Sequence, residues 1–153
     1  MKLSMILSQL STGMVGTISI FVLTLVFSLP LGLLIAFGRM SKNRIVSGIF
    51  RLYISLMRGT PLMLQLMVVY FGPFYLFGMN IGKWRFPAII TGFALNYGAY
   101  FAEIYRSGIV SMDRGQYEAA KLLGYSKGQT FVRIILPQVV KRILPAITNE
   151  VIT

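Results

Sequence analysis

The chain contains no cysteine and no histidine among its 153 residues. That excludes disulfides, thiolate or imidazole metal sites, cysteine or histidine nucleophiles and imidazole acid–base chemistry. Carboxylates are almost as scarce, with four Asp and Glu against fifteen Lys and Arg, and only 12% of residues are charged. Soluble domains carry about 25% charged residues. A chain that is 56% hydrophobic, with a mean hydropathy of +0.72, therefore has membrane-protein composition. No charged residue occurs between Leu3 and Gly38, between Gly59 and Gly82, or between Phe86 and Ala102. About 20 apolar residues cross a bilayer core, so these runs predict three spanning helices over residues 13–38, 59–80 and 86–106.

The net charge of +11 raises nucleic acid as a partner, a role whose sign would be salt-sensitive binding by a soluble protein. The hydropathy, and the confinement of the basic residues to segments between apolar runs, argue against it. The charge reads instead as topology. Arg39, Lys42, Arg44, Arg51 and Arg58 fill the first connection and Arg106, Arg114, Lys121, Lys127, Arg133, Lys141 and Arg142 the last, whereas Lys83 and Arg85 alone flank Trp84. By the positive-inside rule both basic segments are cytoplasmic and the N-terminus and the Trp84 connection lie outside. The first apolar run is too long for a signal-peptide core of about 7–15 residues, and cleavage is not expected.

Several local signals punctuate the runs. Pro30 and Gly32 predict a break in the first span, read as a packing kink or as a gating hinge. From Arg44 to Arg58 apolar residues recur at helical spacing with Arg44, Arg51 and Arg58 on the opposite side, which fits an interfacial helix or the inner end of the second span. In Arg58-Gly59-Thr60-Pro61, Thr60 is expected to cap a helix that begins at Pro61, continues through Leu62 to Phe71, meets Gly72-Pro73 and closes with aromatics and Trp84 near the outer interface. In the third span Asn96, Tyr100 and Glu103 share a face. With Arg106 they are candidates for the translocation pathway or a gate. Their alternative roles are helix packing and a Glu103–Arg106 ion pair.

Residues 107–127 are polar. Asp113-Arg114-Gly115 reads as a turn, Gln116 to Leu123 as a helix of about two turns, and Gly124 as its left-handed cap. Tyr117, Ala120, Lys121 and Gly124 mark one face, and the small residues Ala119, Ala120 and Gly124 suit close approach by another backbone. In shape this is a docking surface, for a partner that spacing alone does not name.

The pattern Gln116-Tyr117-Glu118-Ala119-Ala120-x3-Gly124-x9-Ile134-x-Leu136-Pro137 resembles the EAA motif of membrane subunits of bacterial ATP-binding-cassette importers. Arg58-Gly59-Thr60-Pro61, Gly98-Ala99-Tyr100, Glu103-Ile104-x-Arg106, Leu136-Pro137-Gln138 and Leu144-Pro145 narrow the resemblance to the polar amino acid permease branch. It implies an all-α polytopic fold of the type I importer permease kind, one permease domain over residues 1–153 with a cytoplasmic coupling loop at 107–142, in a bacterial inner membrane. It implies that Gln116, Tyr117, Glu118, Ala119, Ala120 and Gly124 form the surface that meets an ATPase, with Ile134, Leu136 and Pro137 securing the segment that follows. The implied partners are ABC ATPase subunits that bind ATP and magnesium, a second permease subunit, an extracytoplasmic solute-binding protein, the lipid bilayer and an amino acid substrate. No Gly-x4-Gly-Lys-Ser/Thr phosphate loop occurs in this chain, in keeping with that division of labour. The expectation is a transporter subunit, not an enzyme, with no cofactor of its own. Such permeases have five or more spans, so a chain with three spans and the start of a fourth is expected to be incomplete at Thr153. A remnant of a permease gene, or a membrane channel or assembly protein with a non-ATPase partner, remain the alternatives.

Overall fold

The long charge-free runs and the periodic segments between them fold as helices in a computed structural model that describes residues 3–78 and 81–152. In chain order these are α1 (Leu3–Arg39), α2 (Arg44–Gly59), α3 (Leu62–Phe77), a 3-10 turn (Ile81–Lys83), α4 (Arg85–Val110), α5 (Arg114–Leu122) and α6 (Lys127–Thr130). The last continues through a π-helical stretch, Phe131–Ile135, into α7 (Leu136–Ile152). No strand occurs among the described residues. The outer end of the run expected over 59–80, Met79 and Asn80, lies outside the described residues, as does Thr153.

Helix α4 is the hub and packs against α1, α2, α3 and α7. It can take that position because small residues occupy its buried faces: Ala88, Gly92, Ala94, Gly98, Ala99, Ala102 and Gly108. Helix α1 answers with Thr24, Ser28, Gly32 and Ala36, all buried at four-residue intervals. Small residues let helix backbones approach closely where lipid supplies no hydrophobic drive between them. At Gly32 the approach is tightest, since a Cβ there would sit 2.7 Å from Phe101 Cβ and 3.1 Å from the Gly98 carbonyl oxygen. The hydroxyls of Thr24 and Ser28 are buried in this contact with no hydrogen-bond partner among the described residues.

The hub position also accounts for a difference in apolarity. By length and hydropathy α1 qualifies as a membrane-crossing helix, and the bent α2–α3 pair qualifies if taken as one span. Helix α4 falls short because Gly92, Asn96, Gly98 and other non-aliphatic residues line the side covered by neighbouring helices. Proline does not interrupt α1, which runs through Pro30 as one helix.

Helices α2 and α3 meet at 110°. The expectation for this junction is corrected in one respect. Thr60 does not cap the following helix: it closes α2 in an extended conformation, φ −118° and ψ 147°, and Pro61 takes the N-cap position of α3. The residue before a proline is driven out of the helical region by contact with the ring, so α2 must end there. Helix α3 passes through Gly72-Pro73 and continues to Phe77 with Pro73 inside. Proline has no N–H for the carbonyl four residues back, which is that of Val69. The indole of Trp84 donates to that carbonyl at 3.1 Å, filling the gap from outside the helix.

Two clusters of buried side chains form on α4. Ile35, Ala36, Ile54, Ala99 and Ala102 join α1, α2 and α4, with Tyr53 donating to the Leu95 carbonyl at 2.7 Å. Ile135, Val139 and Ile143 join α7 to the lower end of α4, against Ile104, Tyr105 and Ile109.

Candidate functional site

The motif segment lies beyond the C-terminal end of α4 and is held from both sides. Asp113 accepts from the Gly115 amide at 2.9 Å, so Asp113, Arg114 and Gly115 are the cap and first turn of α5 rather than a separate turn. At the other end Gly124 adopts φ 78°, with its amide bonded to the Lys121 carbonyl and the Tyr125 amide to the Ala120 carbonyl. This is the paired hydrogen-bond pattern of a Schellman stop. Ser126 and Gln129 then form a capping box that starts α6 only two residues later. The result is a short helix whose ends and outgoing direction are fixed by its own sequence.

Ala120 is the one residue of α5 that is buried, 1% exposed. It is covered where α5 packs on its own chain, against α6 and the π-helical stretch, while Tyr117, Lys121 and Gly124 of the same three-and-four series are exposed. The small side chain lets α5 sit on its own chain. Gln116, Tyr117, Glu118, Ala119, Lys121 and Gly124 remain exposed. Two residues that motif reasoning passed over dominate the apolar part of this surface: Leu122 is 89% exposed and Leu123 75%. Two adjacent leucines in an otherwise polar stretch, immediately before a capping glycine, were the available signal.

The π-helical turn has a local cause. The ring of Pro137 would press on the carbonyl of Arg133 in a regular α-helix. The chain widens instead, and the Leu136 amide bonds back to the Phe131 carbonyl, five residues earlier. Gln138 donates to the Ile134 carbonyl at 2.9 Å in the same turn and reaches Gln116 of α5 at 3.4 Å. Ile134 packs on the cluster around Ile135, while Leu136 and Pro137 are exposed. From α7, Arg142 donates to the Ser111 carbonyl at 2.7 Å and to its hydroxyl at 3.0 Å. A guanidinium at the C-terminal end of α4 meets unpaired carbonyls and the negative end of the helix dipole.

The polar residues of α4 are brought together with partners on other helices. The Asn96 amide group donates to Gln65 Oε1 at 2.9 Å and to the Met57 carbonyl at 3.1 Å. Gln65 in turn donates to the Met57 carbonyl at 2.9 Å, the Thr60 carbonyl at 3.0 Å and the Thr60 hydroxyl at 2.7 Å. Asn96 therefore braces the α2–α3 bend. Tyr100 lies under the guanidinium of Arg58, 5.1 Å from ring centre to carbon. Glu103 and Arg106 form an ion pair. Each has a structural partner.

An open cleft of about 540 Å³ lies elsewhere, between α1, α4 and the end of α7, bordered by Thr24, Phe93, Tyr97, Phe101 and Glu150. The unpartnered hydroxyl of Thr24 borders it. Glu150, an acid in the mainly apolar second half of α7, was not among the residues singled out from sequence.

A bundle of long apolar helices around a small-residue hub, with a capped helix projecting from one end, defines a polytopic membrane component. Residues 28–153 match the family of binding-protein-dependent transport system inner membrane components, and the chain belongs to that family. It is 43% identical over 141 residues to the arginine transport system permease protein ArtQ of Bacillus subtilis (strain 168), covering 92% of this chain and 64% of that protein. It is 39% identical over 145 residues to the L-cystine transport system permease protein TcyB of the same organism, covering 94% and 60%. The chain thus spans less than two thirds of the length of these curated relatives. A crystal structure of an amino acid ABC transporter with histidines superposes with a TM-score of 0.82 at 36% identity, over 99% of this chain and 71% of that one. The family and these relatives are transport-system membrane components rather than enzymes.

Proposed function

We propose that this chain is the membrane-spanning permease subunit, or the greater part of one, of an ATP-driven amino acid importer. Residues 107–142 are its coupling segment. The observation that carries this reading is the outward presentation of α5. Exposed Leu122 and Leu123 on a capped helix outside the bundle form a small apolar surface, which a partner must cover to remove it from water. The partner fitted by the family is an ABC ATPase that binds ATP and magnesium, and the names of the relatives point to an amino acid as cargo. A second permease subunit and an external solute-binding protein complete the assembly. In this reading 13–38, 59–80 and 86–106 cross the membrane, the N-terminus is outside and α5 is cytoplasmic.

Two linkages would carry motion of α5 into the bundle: the Arg142–Ser111 bridge and the cluster of Ile135, Val139 and Ile143. The cleft between α1, α4 and α7 is then a better candidate for part of the solute path than the Asn96, Tyr100, Glu103 and Arg106 set. Its Thr24 hydroxyl has no partner among the described residues, whereas those four side chains are engaged.

Native mass spectrometry of the detergent-extracted complex tests the reading. An ATPase should co-purify with the wild type and be lost when Leu122 and Leu123 are both replaced by serine, with membrane insertion intact. Gly124→Asp should act in the same direction, although it also strains a left-handed position. Recovery of the ATPase unchanged with the double serine variant would defeat the coupling assignment.

A further inference from the structure

The faces of α2 divide into three sectors. At about 100° per residue the sector centres lie roughly 120° apart. Val46, Phe50, Tyr53, Ile54 and Met57 turn to the protein. Ile45, Ile49, Leu52 and Leu56 form a second stripe and are 73%, 62%, 69% and 53% exposed. Arg44, Ser47, Gly48 and Arg51 form the third. A helix with one face on protein, one apolar and bare, and one cationic is suited to the plane where bilayer meets water. The 110° bend from α3 lays it across that neighbour rather than along it.

The cationic sector is not flat. A groove of about 390 Å³ is lined by Ser41, Lys42, Arg44, Ser47, Gly48 and Arg51. Arg44 and Arg51 stand about 10.5 Å apart along the axis. Gly48 lies between them with nothing within 4 Å of where a Cβ would be. The nearby Arg39 guanidinium is committed to the Ser47 hydroxyl at 3.2 Å. Lys42, Arg44 and Arg51 have no hydrogen-bond or ion-pair partner among the described residues, and none of the chain's four carboxylates lines the groove. Three unneutralised cations and two hydroxyls thus surround an opening that borders an exposed apolar stripe.

We propose that this groove binds the phosphodiester headgroup of an anionic phospholipid whose acyl chains run along Ile45, Ile49, Leu52 and Leu56. The headgroup sits over Gly48 between Arg44 and Arg51, with Lys42 and the Ser41 hydroxyl at its edge. A soluble anion would match the cations but leave the stripe bare, and a zwitterionic lipid would cover the stripe but bring an ammonium with its phosphate and so leave the cations unneutralised. The inference rests on the membrane reading given above.

The absence of cysteine allows a single fluorescent label at Leu52→Cys. The labelled protein is placed in phosphatidylcholine vesicles with a small, equal fraction of doxyl-labelled phosphatidylglycerol or doxyl-labelled phosphatidylcholine. The doxyl-labelled phosphatidylglycerol should quench more strongly. Arg51→Gln should reduce the preference by about fivefold, the usual effect of one cation at an anionic lipid surface. Gly48→Leu, which fills the gap and leaves every charge in place, should abolish it. Equal quenching by the two lipids in the wild type would overturn the proposal, as would a preference that survives Gly48→Leu. Loss of the preference on adding inorganic phosphate at constant ionic strength would show a simple anion site, and absence of quenching by either lipid would show that protein covers the stripe. Both results contradict the lipid assignment. A label at Val22→Cys on α1, where the native side chain is 48% exposed, separates failure of the membrane reading itself, since it must be quenched by both lipids if α1 is in the bilayer.

Discussion

Replacing Gly32 by alanine adds one methyl group at the tightest point between α1 and α4. The new Cβ would lie 2.7 Å from Phe101 Cβ, 3.1 Å from the Gly98 carbonyl oxygen and 3.2 Å from the Ala102 amide nitrogen. Two of these atoms are backbone and the third is fixed to it, so no rotamer change relieves the contact and the helices must move apart. Overpacking of this kind costs about 1–3 kcal/mol, and the gain in helix propensity on removing a glycine returns about 0.5–1 kcal/mol. Gly16 lies on the same helix with nothing within 4 Å, so Gly16→Ala keeps the gain without the clash. The two substitutions should therefore have opposite signs and differ by roughly 2 kcal/mol. Unfolding in mixed micelles of rising dodecyl sulfate content, followed by fluorescence of Trp84, measures the difference. Phe101→Ala should not rescue Gly32→Ala, because alanine retains the Cβ that clashes. Equal stability of the Gly32 and Gly16 variants, or rescue by Phe101→Ala, would refute backbone contact as the basis of the α1–α4 pair.

Asn96→Leu removes donors from the Met57 carbonyl and from Gln65, which should cost about 1–3 kcal/mol and open the Gly59–Pro61 bend to limited proteolysis. Trp84→Phe leaves the Val69 carbonyl without a donor at a similar cost of about 1–3 kcal/mol. In a Pro73→Ala background, where a backbone N–H is available, the same change should be nearly neutral, which a double-mutant cycle followed by circular dichroism would reveal. Arg142→Gln should speed amide hydrogen exchange over residues 108–115 by releasing the end of α4 from α7, with little effect on α1.

How far the fold and site could be read from sequence depended on the range of the interactions involved. Gly124 was legible because a left-handed stop follows from the residue type and its position after a helical run, and φ 78° is what the structure has. The burial of Ala120 was not, because α5 packs on α6 and the π-helical stretch, whose placement depends on the Gly124 stop and the Ser126 cap together. Asn96 was marked as a polar residue on an apolar helix. Its partner Gln65 comes within reach only because α2 and α3 meet at 110°, an angle that no periodicity contains. Pro73 was visible only as a missing N–H inside the second run, and the indole that compensates for it comes from eleven residues further along the chain. The cleft beside Glu150 needs three helices from separate parts of the chain and left no local trace.

The central claim is that this chain moves amino acids under the drive of a separate ATPase acting through α5. The direct test is uptake of labelled amino acids into proteoliposomes that contain the complex purified from its own membrane. Accumulation should require hydrolysable ATP on the ATPase side and should vanish when Leu122 and Leu123 are both serine. Uptake that proceeds equally with a non-hydrolysable analogue, or that is unaffected by the two serines, would contradict it.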